Sequence, residues 1–406
     1  MRKRFFSKLA IVMSTALAVS GCFCPIDKAF VNAETIQDED DSYYDDDSDY
    51  DDSYDDSTDD SYDDSTDDSY DDSTDDSDNE ETTGTKIDDI KLSSSELQAF
   101  VKESDSDENG YISQSEAEKI TYVSISKKAS QSDLTQIIKL YPNISELMWN
   151  AGTLTKLTFP KNNIKRLNIT SKAASQLVIS GINQKLNNLS YTAQGSKKYA
   201  FNFAKGSAYK KVEDFNLMGK QINGVKLSNA EVGTLYVTDT SAKKIDASSD
   251  KIINLWVQNN KKLSSFTVRN CSKLKSVSCA YNALSRLNIS GCPKLLSVSC
   301  DRNKLTKLDI SKYKNLKSIS CGQNKLKKFD ISKNKKLISV YCNDNKLTEL
   351  NTSKNKKLSY FGCSNNKLNK LNVMPNKKLT TLSCYGNKFT KVNLKKNKEL
   401  VSMAVS

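Results

Sequence analysis

Residues 316–336 read LKSISCGQNKLKKFDISKNKK, and this pattern of apolar residues, cysteine and asparagine returns every 21 residues from Leu274 to Glu399. Six units fit the register without an insertion. Each unit has a cysteine followed three places later by an asparagine: Cys279 and Asn282, Cys300 and Asn303, Cys321 and Asn324, Cys342 and Asn345, Cys363 and Asn366, Cys384 and Asn387. A fixed period of this length predicts a solenoid of stacked, similar coils.

One unit contains the spacing L-x-x-L-x-L-x-x-N twice, from Leu316 to Asn324 and again from Leu326 to Asn334, with Cys in one apolar slot. The chain therefore resembles leucine-rich repeat proteins, in particular the short nested repeats of internalin-like extracellular bacterial proteins. Two short strands and two turns use up 21 residues, because a strand residue advances about 3.3 Å and no stretch is left for a helix. We expect a mainly β fold: a leucine-rich-repeat solenoid with short strands on both faces, continuous from Pro142, behind a small helical cap and a disordered acidic tether.

The repeated cysteines are predicted to be free thiols in a thin core. Alternate strand positions point inwards, so Val277 and Cys279 should line the interior, and cysteine is among the most often buried residues. Equivalent cysteines in stacked coils lie about 4.8 Å apart with parallel side chains, which does not suit a disulfide. The asparagine amides should bond backbone groups that the turns leave unpaired. Cys271 and Cys292 fall in the second turn, where we expect partial exposure.

The chain begins with features of an export signal. Arg2, Lys3 and Arg4 are followed by an apolar run from Leu9 to Val19, which is too short to span a bilayer. Two processing sites fit: a lipobox-like sequence that would leave Cys22 lipid-modified at the N-terminus, and an ordinary signal-peptidase site before Glu34. Both place the protein outside the cytoplasmic membrane, either secreted or at the cell surface with a lipid anchor. The predicted division is 1–33 signal peptide, 34–86 tether, 87–124 EF-hand-like helical cap, 125–270 divergent repeats and 271–406 regular repeats.

The tether has an extreme charge. Residues 38–81 contain 25 acidic residues and no lysine or arginine, and the whole chain is at +10, so the remainder stands at +35. Such a segment cannot bury enough apolar surface to fold. We interpret it as an extended spacer. The alternative is that it shields the basic repeats from other anions.

A calcium-binding motif precedes the repeats. Residues 105–116 match the EF-hand template D-x-[DN]-x-[DN]-G-x5-E at every specified position, and helical patterns flank them on both sides. The predicted Ca²⁺ shell consists of Asp105, Asp107, Asn109, the carbonyl of Tyr111, Ser113 through a water, and Glu116. A single loop favours a structural role over a sensor role. The alternative is a calcium-free helical hairpin that caps the solenoid.

The divergent region keeps the leucine spacing loosely. The spacing returns clearly at Val232, Leu235 and Val237, whereas the segment from Gln184 to Gly219 is rich in aromatic residues and hard to align with the repeat. We expect this segment to bulge out or to form wider coils. At the other end, Leu400, Met403 and Val405 begin a seventh strand, and the core exposed beyond it is a candidate for end-to-end self-association.

Two sets of surface residues are candidates for binding. Tyr341, Tyr360 and Tyr385 lie on the first-strand face among serines predicted to be exposed, such as Ser276, Ser297 and Ser318, and would suit a protein or sugar partner. The second set is lysines at equivalent turn positions: Lys335, Lys336, Lys356, Lys357, Lys377 and Lys378. Rows of like charge favour an anionic glycan or polymer. The alternative explanations are that the lysines keep the protein soluble and that tyrosine and serine merely suit exposed strand positions.

The chain has no histidine, which removes histidine-based triads and the commonest general base. We therefore predict a non-enzyme: an exported, surface-associated recognition scaffold that is adhesin-like or binds glycans through its repeat face. The alternative is a structural wall or envelope component held by its basic repeats. Nucleic acid is not an expected partner, and membrane contact is expected only through an N-terminal lipid.

Overall fold

A parallel sheet of 14 strands runs through the repeats in the computed structural model, which describes residues 83–227 and 230–405. Its strands, in spatial order from the N-terminal side, are β3 (Tyr122–Ser124), β4 (Glu146–Asn150), β6 (Arg166–Ser171), β8 (Leu186–Ala193), β10 (Lys211–Met218), β12 (Glu231–Thr238), β14 (Asn254–Gln258), β16 (Ser276–Ser278), β18 (Ser297–Ser299), β19 (Ser318–Ser320), β20 (Ser339–Tyr341), β21 (Tyr360–Gly362), β22 (Thr381–Ser383) and β23 (Ser402–Ala404). Each coil adds one strand in register with the previous one, so equivalent side chains form rows along the solenoid.

The opposite face has strands in only part of the chain. A two-stranded sheet pairs β5 (Lys156–Thr158) with β7 (Val178–Ser180), and a five-stranded sheet contains β9 (Tyr199–Asn202), β11 (Ile222–Lys226), β13 (Lys244–Ala247), β15 (Ser265–Arg269) and β17 (Arg286–Ser290). Beyond Ser290, the described second halves of the units are turns and irregular segments. The predicted mainly β solenoid is confirmed, with its second strand face confined to residues 156–290.

Among the described residues, three α-helices precede or open the solenoid. They are α1 (Ser95–Ser104), α2 (Gln114–Lys119) and α3 (Gln131–Leu140). A capping box in which Ser130 and Asp133 bond each other's backbone begins α3, and Leu134, Ile137 and Ile138 form its buried face. The sequence analysis did not identify α3. The predicted start of the solenoid at Pro142 was also too late, because β3 already pairs with β4.

The width of a coil follows the size of its interior side chains. In the narrow units the core contains Val277 and Cys279, both 0% exposed. Between β8 and β10 the register offset grows, with Leu186 opposite Val212. This coil is filled by buried rings, most of which contact one another edge to face: Tyr191, Phe201, Phe203, Tyr209 and Phe215. The prediction of a wider coil is confirmed, and the rings that made the segment hard to register are the reason for its width.

Each repeated asparagine holds two coils together. The Nδ2 of Asn324 donates to the carbonyls of Cys300 (2.9 Å) and Cys321 (3.2 Å), and its Oδ1 accepts from the backbone N–H of Leu305 at 2.9 Å. The side chain therefore satisfies backbone groups in its own coil and in the preceding one, as predicted. Asn303, Asn345 and Asn366 repeat the arrangement.

The eight cysteines within the described residues are all free and buried. This includes Cys271 and Cys292, at 0% and 2% exposure, so the expectation that they would be partly exposed was wrong. Their turn folds back onto the core, where their thiols approach backbone carbonyls. Burial raises the pKa of the Cys279 thiol and raises that of Cys342 to about 12, which keeps these groups uncharged.

The prediction of exposed serines on the first-strand face was also wrong. Ser276, Ser297, Ser318 and Ser339 are 6–7% exposed. A serine side chain is short, so the strands on either side and the longer residues that flank them occlude it. The serines in the middle of this face are therefore covered, and the surface there is nearly flat.

Candidate binding surfaces and cation loop

The residues between α1 and α2 bring three carboxylates together. One oxygen from each of Asp105, Asp107 and Glu116 lies within 4.8 Å of the others. The loop is held by backbone contacts, since the N–H of Gly110 donates to Asp105 Oδ2 at 2.9 Å and that of Tyr111 donates to Asn109 Oδ1 at 2.8 Å. Gly110 has a φ of +86°, a left-handed conformation that glycine adopts without strain.

Glu116 makes the largest number of hydrogen bonds in this loop. Its Oε1 accepts from the N–H (2.5 Å) and hydroxyl (2.7 Å) of Ser106, and its Oε2 accepts from the N–H and hydroxyl of Ser113 at 3.0 and 2.9 Å. The Ser106 hydroxyl is the main reason that the pKa of Glu116 falls to about 2. Ser113 is the N-cap of α2 in a capping box with Glu116. The loop is therefore bonded internally by the residues predicted to hold an ion.

The donor set fits a calcium ion. Two ligands at the usual Ca²⁺–O distance of about 2.4 Å can lie no more than about 4.8 Å apart, which is the limit that the three carboxylates meet. The ligands are hard oxygen donors with excess negative charge, as Ca²⁺ prefers. The carbonyl of Tyr111 lies on β2 (Tyr111–Ile112), which pairs antiparallel with β1 (Thr85–Lys86). Binding Glu116 through both oxygens would require it to release Ser106.

Two other carboxylates attach the helical cap to the first coil. Glu96 of α1 accepts hydrogen bonds from the N–H groups of Ser126 (3.0 Å) and Lys127 (2.8 Å). Asp133 of α3 is fully buried and accepts from the N–H and hydroxyl of Ser93, both at 2.6 Å. Burial opposes ionisation of both groups, yet these hydrogen bonds outweigh it and lower the pKa of each.

Two of the three predicted tyrosines lie on strands of the 14-stranded sheet, Tyr341 on β20 and Tyr360 on β21, whereas Tyr385 follows the end of β22. Tyr360 and Tyr385 are 41% and 42% exposed. Tyr341 is half-buried and leans over the next strand, where a Cβ added to Gly362 would lie 2.9 Å from its Cδ1. Glycine at 362 therefore makes room for the Tyr341 ring.

The predicted lysines are all exposed and lie in two rows at the turns: Lys335, Lys356 and Lys377 in one, Lys336, Lys357 and Lys378 in the other. Lys336 Nζ donates to Asn315 Oδ1 at 2.8 Å. Ion pairs in the described part of the chain all lie between residues 146 and 269, so none involves these lysines. Cys22 lies outside the described residues.

The sequence analysis missed an aromatic pair on the same sheet face. Tyr236 of β12 and Trp256 of β14 are register partners whose rings stack with centroids 6.0 Å apart and planes 19° from parallel. Both are half-buried. The signal was present in the alternation Leu235-Tyr-Val237 and Leu255-Trp-Val257, which places both rings outwards.

The sequence analysis also missed Asp301. Its carboxylate accepts from the hydroxyls of Ser299 (2.9 Å) and Ser320 (2.7 Å) and from the N–H of Gly322 (2.7 Å). Burial raises its pKa in spite of these bonds. It therefore joins the ends of two adjacent strands, β18 and β19.

No family model and no curated protein matches the chain. Among solved structures, similarity is found to the functional domain of InlJ from Listeria monocytogenes, which includes a cysteine ladder (19% identity, 76% of this chain and 68% of that one, TM-score 0.41). It is also found to the internalin InlF from Listeria monocytogenes (16%, 80% and 98%, 0.42) and to YopM, a leucine-rich effector protein from Yersinia pestis (15%, 66% and 84%, 0.42). The assignment of the fold rests on the strand register of this chain. Within the described residues, every helix is too short or too polar to cross a bilayer.

Proposed function

We propose that this protein is an exported, surface-associated recognition scaffold without catalytic activity, which binds a macromolecule along its repeats. The observation that carries the proposal is the pair of exposed lysine rows, kept in register over three coils, to which no carboxylate of residues 83–227 or 230–405 is paired. A solenoid holds such groups at fixed spacing, which suits an extended partner better than a small molecule.

The lysine rows favour an anionic polymer as that partner. Charges on adjacent coils lie about 5 Å apart and repel by roughly 0.8 kcal/mol per pair even in bulk water, inside the Debye length. An anionic chain running along the solenoid would relieve this repulsion at every coil. Tyr360 and Tyr385, exposed on a different surface, would suit a protein partner.

Export is supported by the basic and apolar N-terminal sequence, and a lipid on Cys22 would hold the protein at the membrane surface. The acidic segment would then serve as the spacer. Calcium in the loop formed by Asp105, Asp107 and Glu116 would have a structural role, because that loop joins α1 to α2 at the cap rather than lying on the lysine rows.

The experiment compares the wild-type protein with a variant in which Lys335, Lys336, Lys356, Lys357, Lys377 and Lys378 are changed to glutamine. Retention on immobilised heparin should fall steeply with salt for the wild type and be much weaker for the variant. A matched control changes six exposed lysines elsewhere: Lys156, Lys197, Lys226, Lys243, Lys261 and Lys262. Equal loss in both variants would show a response to net charge alone and would contradict a site at the rows.

A pull-down then separates the two roles. The same proteins are exposed to extracellular matrix from a host and to cell wall from the producing organism. Capture of a matrix component that depends on the lysine rows or on Tyr360 supports a recognition function. Capture of wall polymer alone supports the structural alternative.

A further inference from the structure

From β12 to β23 the two rows of residues on the outer face of the 14-stranded sheet are uncharged, in a body that is otherwise rich in lysine, whereas Asp214 of β10 continues one of these rows on the N-terminal side. Two rows of outward residues cross the strands, one in register with Asn254 and one in register with Trp256. From β12 to β23 every residue in both rows is serine, threonine, tyrosine, tryptophan, asparagine, glycine or alanine. The lysines lie at the turns instead. This face is therefore unsuited to a polyanion, and its partner should be uncharged.

The aromatic pair is the largest feature on this face. Because the Tyr236 and Trp256 rings stack on each other across two strands, one face of the indole looks away from Tyr236 along the sheet. The next residue in that direction is Ser278, which is 2% exposed and too short to cover an indole ring. The ring thus stands beside a polar strip formed by Ser278 and the Gln258 amide that bonds its hydroxyl.

Two amide side chains flank Trp256. Asn254 and Gln258 lie on the same strand as Trp256, one on either side, and both are half-buried. Gln258 Nε2 donates to Ser278 Oγ at 2.5 Å, which fixes the amide and leaves its carbonyl oxygen as an acceptor. An amide offers a donor and an acceptor side by side, the arrangement that adjacent sugar hydroxyls can bond reciprocally.

We propose that Tyr236 and Trp256 form the binding site for an uncharged, linear glycan that runs across the strands. One pyranose ring would stack its apolar C–H face on the indole above Ser278, and the amides of Asn254 and Gln258 would bond its hydroxyls. One sugar unit is about as long as the strand spacing of about 4.8 Å, so successive units would follow the uncharged rows. The site is separate from the lysine rows, to which the proposed function assigns an anionic partner.

The test measures retention of the full chain on insoluble chitin and cellulose, which are uncharged linear glycans. Wild-type protein should bind at least one of them, and the binding should persist at high salt because no charge is involved. Trp256→Ala should weaken it by about tenfold, and Trp256→Phe should keep part of it. The glutamine variant of the lysine rows should bind as the wild type does.

Thermal unfolding of each variant shows whether it is folded. If Trp256→Ala fails to fold, Asn254→Ala replaces it, since that outward side chain can be removed without opening the core, and it should also weaken retention. Absence of binding to both polysaccharides overturns the proposal, as does equal binding by folded Trp256→Ala or Asn254→Ala. A partner whose binding requires Trp256 and which proves to be a protein would also overturn the proposal. None of these results affects the heparin assay, which tests the proposed function on its own.

Discussion

Thr352 Oγ1 donates a 2.7 Å hydrogen bond to Asn376 Oδ1 in the adjacent coil. Thr352 takes the place of the apolar residues Ile331 and Val373 in the neighbouring units. Asn355 and Asn397, which are equivalent to Asn376, each have a buried Oδ1 without a hydrogen-bond partner. A single hydroxyl thus satisfies an acceptor that the regular repeat leaves unpaired.

We expect Val373→Thr to stabilise the protein by about 1 kcal/mol, because its hydroxyl can reach Asn397 Oδ1 as Thr352 reaches Asn376. The two side chains are nearly the same size, so the core is not repacked. The midpoint of urea unfolding measures the change. Val340→Thr is the control: this site is also 0% exposed but lies on β20, away from the second-turn asparagines whose Oδ1 is unpaired, and the hydroxyl should cost about 1–3 kcal/mol. Equal destabilisation by both variants would contradict the explanation.

The left-handed residue after each first strand gives a second prediction. Gln323 has a φ of +52°, and Tyr281, Arg302, Asp344 and Asn365 occupy the same conformation in other units. This conformation costs an L-residue about 1–2 kcal/mol, and relief of that strain equals or exceeds the roughly 0.5–1 kcal/mol that glycine costs in entropy on folding. Gln323→Gly should therefore leave the free energy of unfolding unchanged or raise it by up to about 1 kcal/mol. Lys325→Gly, two residues away at an ordinary φ, should lower it. A clear loss of stability in Gln323→Gly would argue against the strain.

Acid should destabilise the cap through Glu116. Its pKa in the folded protein is about 2, below the ordinary value of 4.5. A lowered pKa means that ionised Glu116 stabilises the folded state above about pH 4.5, and that this contribution disappears as the pH falls towards 2. The melting temperature, followed by circular dichroism from pH 7 to pH 3, should fall more steeply in the wild type than in Glu116→Gln. Asp133 and Glu96 also have lowered pKa values, so some acid sensitivity will remain in the variant.

Calcium should raise the melting temperature of the wild-type protein and leave that of Asp105→Asn with Asp107→Asn nearly unchanged. A ligand that binds only the folded state stabilises it in proportion to the logarithm of its concentration. Calorimetric titration in a chelated buffer measures binding directly. Asp88→Asn with Asp89→Asn is a matched control, because these acids are exposed and lie outside the loop. The same melting temperature with calcium and with chelator, together with no heat of binding, would refute the site.

Much of this structure could be predicted from the repeat. A period of 21 residues with alternating apolar positions requires parallel strands in register, and register places the cysteines inside and the lysines in rows. The asparagine bonds also followed, because a turn leaves backbone groups that a short amide can reach. The loop from Asp105 to Glu116 was predicted because its ligand spacing is local in sequence.

Other features depended on contacts between distant residues. Helix α3 has a local signal that the sequence analysis overlooked, the capping box of Ser130 and Asp133, but the bonds that Asp133 also makes to Ser93, 40 positions earlier, are contained in no local pattern. The burial of Cys271 and of the face serines depends on what the adjacent coils place beside them, and alternation along one strand does not report this. The stacking of Tyr236 on Trp256 likewise depends on which residues of adjacent coils lie opposite each other, and the irregular lengths of these coils hide that register in the sequence. The sequence by itself determined the rows of the solenoid, since periodicity and strand geometry are local. Only the tertiary structure decided which members of a row are covered, because occlusion depends on the size of neighbours in other coils.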